Sequence, residues 1–105
     1  MITEICTQGT ITPAGTTIYT APATKIVKFI NLTFTNPAAY VLTLSRYQKS
    51  SNTTVVNYTF TLNAGDYISD KNPYFLREGD KIIVSCSVPG TLFTAHFFVE
   101  DATNW

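Results

Sequence analysis

One histidine, His96, and two cysteines, Cys6 and Cys86, are the side chains best suited to nucleophilic chemistry in this 105-residue chain. A catalytic nucleophile needs a base within hydrogen-bond reach and a third group that orients the base. Cys6–His96–Asp101 and Ser85–His96–Asp101 can be written down as triads, but nothing in their spacing brings the members together. His96 also alternates out of phase with Phe97, which puts it on the outer side of a strand. No glycine-rich phosphate loop, paired-histidine metal motif or nucleophile elbow occurs. The chain therefore reads as non-enzymatic.

The cysteines form no C-x-x-C pair, which argues against zinc. In a reducing compartment both are expected to be small buried hydrophobes, the alternative being a disulfide between the first strand and a late one. Asp66, Asp70, Glu78 and Asp80 come from two turns, and carboxylate oxygens are what calcium requires. Aspartate beside glycine is turn chemistry first, so neither metal nor cofactor is expected. The Asn-x-Thr sequons at Asn31, Asn52 and Asn57 read as by-products of a threonine-rich sequence.

Seven basic residues balance seven acidic ones, and only 13% of the chain is charged. With no basic stripe to follow phosphates, nucleic-acid binding is not expected. A neutral surface gives little colloidal repulsion and suits a member of an assembly. No apolar stretch is long enough to span a bilayer as a helix, and the N-terminus has no secretory-signal pattern, so the chain is expected to be made in the cytoplasm.

The elements that position these groups are strands. Val56-Asn57-Tyr58-Thr59-Phe60-Thr61-Leu62 alternates large apolar with small polar residues, the period of a strand with one buried face. Ile2–Thr7 and Gly9–Thr12 read as weak strands and Thr16–Thr20 as a short one ending at Ala21-Pro22. Lys25–Thr35, Ala39–Lys49 and Thr54–Leu62 form a meander. The first of these is expected to bury Ile26, Ile30, Leu32 and Phe34, and the last to bury Val56, Tyr58, Phe60 and Leu62. Short strands follow at Tyr67–Ser69 and Tyr74–Leu76, then Lys81–Val88 and a final strand with Phe93, Ala95, Phe97 and Val99 inward. Nothing has helical period over a useful length. The expected fold is all-β: residues 1–105 form a single domain, an antiparallel two-sheet β-sandwich of jelly-roll type with about seven or eight strands, and 101–105 form a C-terminal tail. A closed barrel remains the competing arrangement.

Gly15-Thr-Thr-Ile-Tyr-Thr-Ala-Pro22, running into Thr24-Lys-Ile-Val-Lys-Phe-Ile-Asn-Leu-Thr-Phe-Thr-Asn36, resembles the opening of small virion proteins of tailed bacteriophages. The turn Leu62-Asn-Ala-Gly-Asp66 and the stretch Leu76-Arg-Glu-Gly-Asp-Lys-Ile-Ile-Val84 continue the likeness, over roughly residues 12 to 100. The segment before Pro13, with Cys6, and the aromatic end at Trp105 depart from it. The resemblance implies a capsid decoration, neck or tail component, located in the virion. Its partners would be the major capsid protein or other virion proteins, as a homo-oligomer or symmetric array.

Aromatics that do not fit an inward phase are the candidate contacts for such a role: Tyr47, Tyr74, Phe75, Phe98 and Trp105. A carbohydrate-binding sandwich is a further alternative, with Tyr40, Tyr47, Tyr58 and Tyr74 as raw material, although Tyr40 and Tyr58 fall on the inward phase.

Overall fold

The computed structural model describes residues 2–71 and 74–101, the side chains of Ile2 and Ile30 excepted. Among the described residues there are nine strands and no helix: β1 (Ile2–Ile11), β2 (Thr16–Thr20), β3 (Lys25–Thr35), β4 (Tyr40–Gln48), β5 (Thr53–Leu62), β6 (Tyr67–Asp70), β7 (Tyr74–Leu76), β8 (Lys81–Cys86) and β9 (Thr91–Asp101). They pair antiparallel into two sheets. One runs β1-β9-β3-β6, with β7 also on β3; the other runs β2-β8-β4-β5. The expected β-sandwich is present. The two weak strands expected before Pro13 are one continuous strand, because β9 pairs with β1 from Ile2 to Ile11 without a break.

The sheets enclose one apolar cluster. Its largest fully buried members are Tyr40, Phe29, Phe34 and Phe97, with Ile11, Leu32, Leu42, Leu44, Leu76 and Ile82 around them. The rings of Tyr19 on β2 and Phe97 on β9 meet across the layers at 4.6 Å between centroids. Tyr40 on β4 donates its hydroxyl to the backbone oxygens of Phe34 and Asp66. These contacts set β1 and β9 against β2 and β8, and β3 against β4. The free strands β1 and β5 therefore lie on opposite flanks of the sandwich.

Three bulges decide which side chains enter the core. A bulge adds one residue to one strand and reverses the alternation beyond it. In β3 the register slips between Phe29 and Asn31. Val27 and Phe29 thus face inward before the slip, and Leu32 and Phe34 after it. The single apolar face expected from Ile26 to Phe34 is split. Ile26 is buried on the opposite phase, outside the main cluster. In β2 a slip between Thr17 and Tyr19 lets Ile18 and Tyr19 both reach the core.

The third slip lies between β4 and β5, where Leu44 pairs with Tyr58 but Ser45 pairs with Val56. Tyr58, Phe60 and Leu62 lie beside the buried Leu44, Leu42 and Tyr40, as alternation requires. Val56 falls out of that phase and is 59% exposed. Even in phase, Tyr58 remains 41% exposed on β5, the last strand of its sheet. The expectation that Val56 and Tyr58 belong to the core is corrected here.

The turn before β8 is held by Asp80, which is 5% exposed. Its carboxylate accepts from the backbone N–H groups of Lys49 (3.0 Å) and Arg77 (3.2 Å) and from the Arg46 guanidinium (3.4 Å). Gly79 precedes it at φ +80°, in the left-handed region, with a Lys49 side-chain carbon 2.1 Å from where a Cβ would stand. Any other side chain here would have to adopt that strained φ and displace the Lys49 chain.

Candidate functional site

The outer face of the β1-β9-β3 sheet gathers the polar side chains that alternation turns away from the core. Cys6 stands opposite His96 in the register, and His96 in turn faces Asn31. The Nε2 of His96 lies 2.6 Å from a carboxylate oxygen of Glu4, one position along the same face. Cys6 and His96 are thus brought together, but the acid on the histidine is Glu4. Asp101 pairs with Lys25 at the far end of β9, and that ammonium hydrogen bond holds its carboxyl below the usual carboxylate range. Ser85 sits in the other sheet. Neither triad written from the sequence is assembled.

Both cysteines are free. Cys86 is buried, and its Sγ–H donates to the carbonyl of Val88 at 2.9 Å. Cys6 is exposed, because it occupies the outward phase of an edge strand. Its expected burial is corrected. Among the described residues no group of three or more His, Cys, Asp or Glu could hold a metal. Asp70 is buried and accepts from the Tyr74 hydroxyl, while Asp80 is spent on its turn.

Further along the same face, a groove of about 400 Å³ runs over Gln8, Thr10, Thr33, Thr35, Leu92 and Thr94. Leu92 is 52% exposed at its floor, and Tyr67, 70% exposed, continues the row from Thr35. Its lining carries no charge.

The aromatic contacts chosen from the sequence are scattered. Tyr47 lies on the outer face of β4 with the Lys81 ammonium 5.4 Å from its ring centroid, and it donates its hydroxyl to Asn52. Phe75 is 37% exposed on β7, under the Lys28 ammonium at 5.6 Å. Phe98 is half-buried next to His96, on the outer face of β9. Tyr74 is buried in the core cluster, which removes it from any open surface. Trp105 lies outside the described residues, as does most of the 101–105 tail. The tyrosines considered for sugar stacking do not share a platform: Tyr40 and Tyr74 are buried, and Tyr47 and Tyr58 belong to different faces.

Sequence reasoning missed the apolar surface of β5. Val55 (49%), Val56 and Tyr58 are exposed along a ten-residue strand with no charged residue, proline or glycine. The absence of charge over 53–62 was the available signal, and alternation masked it by suggesting a covered face. Among the described residues β1 is the other long strand that ends a sheet; its one charge, Glu4, is turned along the sheet face toward His96.

Two antiparallel sheets around one apolar cluster define the class, a β-sandwich with exposed edges. No protein-family model and no curated protein matches the chain. Among solved structures, one of Bacillus endospore appendages, a family of disulfide-linked pili, is similar with a TM-score of 0.62 at 14% identity, over 96% of this chain and 87% of that one. The likeness establishes the fold. Two capsid structures of infectious bursal disease virus also align. The viral particle does so at a TM-score of 0.44 and 15% identity, over 94% of this chain and 30% of that one. Mutant VP2 in derived T=1 particles does so at 0.45 and 13%, over 100% and 32%. This chain spans about a third of those capsid chains, and at such scores they carry no argument.

Proposed function

We propose that this chain is a non-enzymatic structural subunit working in many copies within a virion or an extracellular appendage. One observation carries the reading: β5 is a long, uncharged edge strand with Val55, Val56 and Tyr58 exposed. Single-chain proteins blunt such edges with charge, proline or short length, because an open edge recruits further strands. Here it is left open on a chain of zero net charge. The endospore pilus, a filament, has the same fold. The polar cluster is in keeping with the non-enzymatic half of the reading, since His96 is engaged by Glu4 on the outer face of the sheet and by neither of the acids that the sequence offered for a triad.

Within that role, the likeness of residues 15–36 and 76–84 to small phage virion proteins favours a capsid decoration protein of a tailed bacteriophage, with a neck or tail component as the alternative. Sizing the purified protein over a wide concentration range, alone and with capsids or tails, tests the proposal. Higher-order species or co-sedimentation is expected. A strict monomer that never co-sediments would overturn it.

A further inference from the structure

We infer that copies of this chain join head to tail, β5 of one copy hydrogen-bonding along β1 of the next. The inference rests on the structural-subunit reading and names its contact.

The four sheet ends are not alike. β2 has five residues and a bulge, and ends at Ala21-Pro22. β6 and β7 have four and three residues. These are protected edges. β1 and β5 have ten residues each, with no proline in either. Among the described residues each presents one side of its backbone without a strand partner, a row of donors and acceptors suited to strand addition. At about 3.3 Å per residue both strands are roughly 33 Å long; the bulge at Asn57 interrupts the β5 row, and the regular stretch from Tyr58 to Leu62 is the part that β1 can satisfy without a break.

Their placement selects the occupant. Because β1 and β5 lie on opposite flanks, they cannot pair within one copy. A symmetric β5–β5 contact would leave β1 open. Pairing β5 with β1 of a second copy uses both edges and repeats from copy to copy, the heterologous geometry that gives a ring where the rotation closes and a filament where it does not. The side chains agree. β5 carries Tyr58, Phe60 and Leu62 on one face and Thr59 and Thr61 on the other, and β1 carries Ile5 and Ile11 on one face and Cys6, Gln8 and Thr10 on the other. Apolar rows can therefore adjoin, and β5 brings no charge to bury. The joined sheet runs β2-β8-β4-β5-β1-β9-β3-β6 across two copies.

The exposed Cys6 is a native probe on β1. Cysteine is placed singly at Thr54, Val55, Tyr58, Thr59 and Thr61 in the full chain, and each variant is oxidised mildly and run without reductant. Paired edges are expected to give a covalent ladder of dimer, trimer and higher species at one position, or at two alternate positions on one face. The ladder should vanish when Cys6→Ser is added. In parallel, Thr59→Lys with Thr61→Lys should raise the concentration needed for assembly at least tenfold without moving the melting transition. If higher-order species form but no position gives a ladder, the β5–β1 contact is overturned and the structural reading stands. A ladder stopping at dimer, in a variant or in the parent, overturns the head-to-tail order. A monomer at every concentration overturns the contact too, and co-sedimentation with capsids or tails then decides the structural reading separately.

Discussion

The ring of Phe93 fills the space that a side chain at position 9 would need. The two residues are register partners on β9 and β1, and a Cβ on Gly9 would stand 2.9 Å from the ring. Phe93 is 8% exposed and packed in the core, so it has little room to yield. Gly9→Ala should overpack the site and cost about 1–3 kcal/mol, read as a lower urea midpoint at unchanged slope. Gly90, with nothing within 4 Å, offers a control for the steric effect, although its positive φ adds strain of its own.

Asp80 ties three segments together, so its loss should be the most damaging polar change tested. Asp80→Ala strands two backbone donors and the Arg46 guanidinium, at a cost of about 2–4 kcal/mol. Asp80→Asn keeps one acceptor and should fall between the two in chemical denaturation.

Burial, and then the charge of Asp66, push the Tyr40 phenol above its ordinary value of 10.0. The protonated phenol is the form the fold favours. Its contribution is fully present below pH 10 and declines as pH rises from there through the folded value. Tyr40→Phe should lose about 1–2 kcal/mol at neutral pH through the missing hydrogen bonds. Between pH 10 and the folded value it should also lose less stability than the parent, which thermal melts across that range would show. Asp101 works in the opposite sense. Its depressed pKa gives stability above the usual carboxylate range that is lost in acid, and Asp101→Asn should flatten that acid limb.

Cys6 and Cys86 should react at very different rates. A thiol reagent should modify one cysteine in the native protein, identified as Cys6 by peptide mass, and the second only on unfolding. Rapid labelling of both in native buffer would contradict the packing around Cys86.

Much of the fold could be read from residue order. Alternation located the long strands, and Gly79-Asp80, Pro22 and Asn36-Pro37 marked ends by backbone chemistry that acts locally; the meander expected of β3, β4 and β5 is not formed, because β3 pairs with β9 in one sheet while β4 and β5 pair in the other. His96 on the outer face of β9 followed from its phase with Phe97. The bulges did not, because an extra residue is defined by the strand it fails to match. Ile26, Leu32 and Phe34 look like one face until β9 reveals the slip after Phe29.

The candidate surface was less legible. The uncharged run from Thr53 to Leu62 is a property of the sequence alone, as is the pattern that makes it a strand. That Val55 and Tyr58 are open depends on β5 ending its sheet, and that Glu4 and Cys6 meet His96 depends on β1 pairing with a strand some ninety residues away. Period-two chemistry acts over neighbours and dictates a pleated strand wherever it occurs. Whether a strand's apolar face is covered, and whether its backbone edge is used, is decided by which distant strands lie beside and above it.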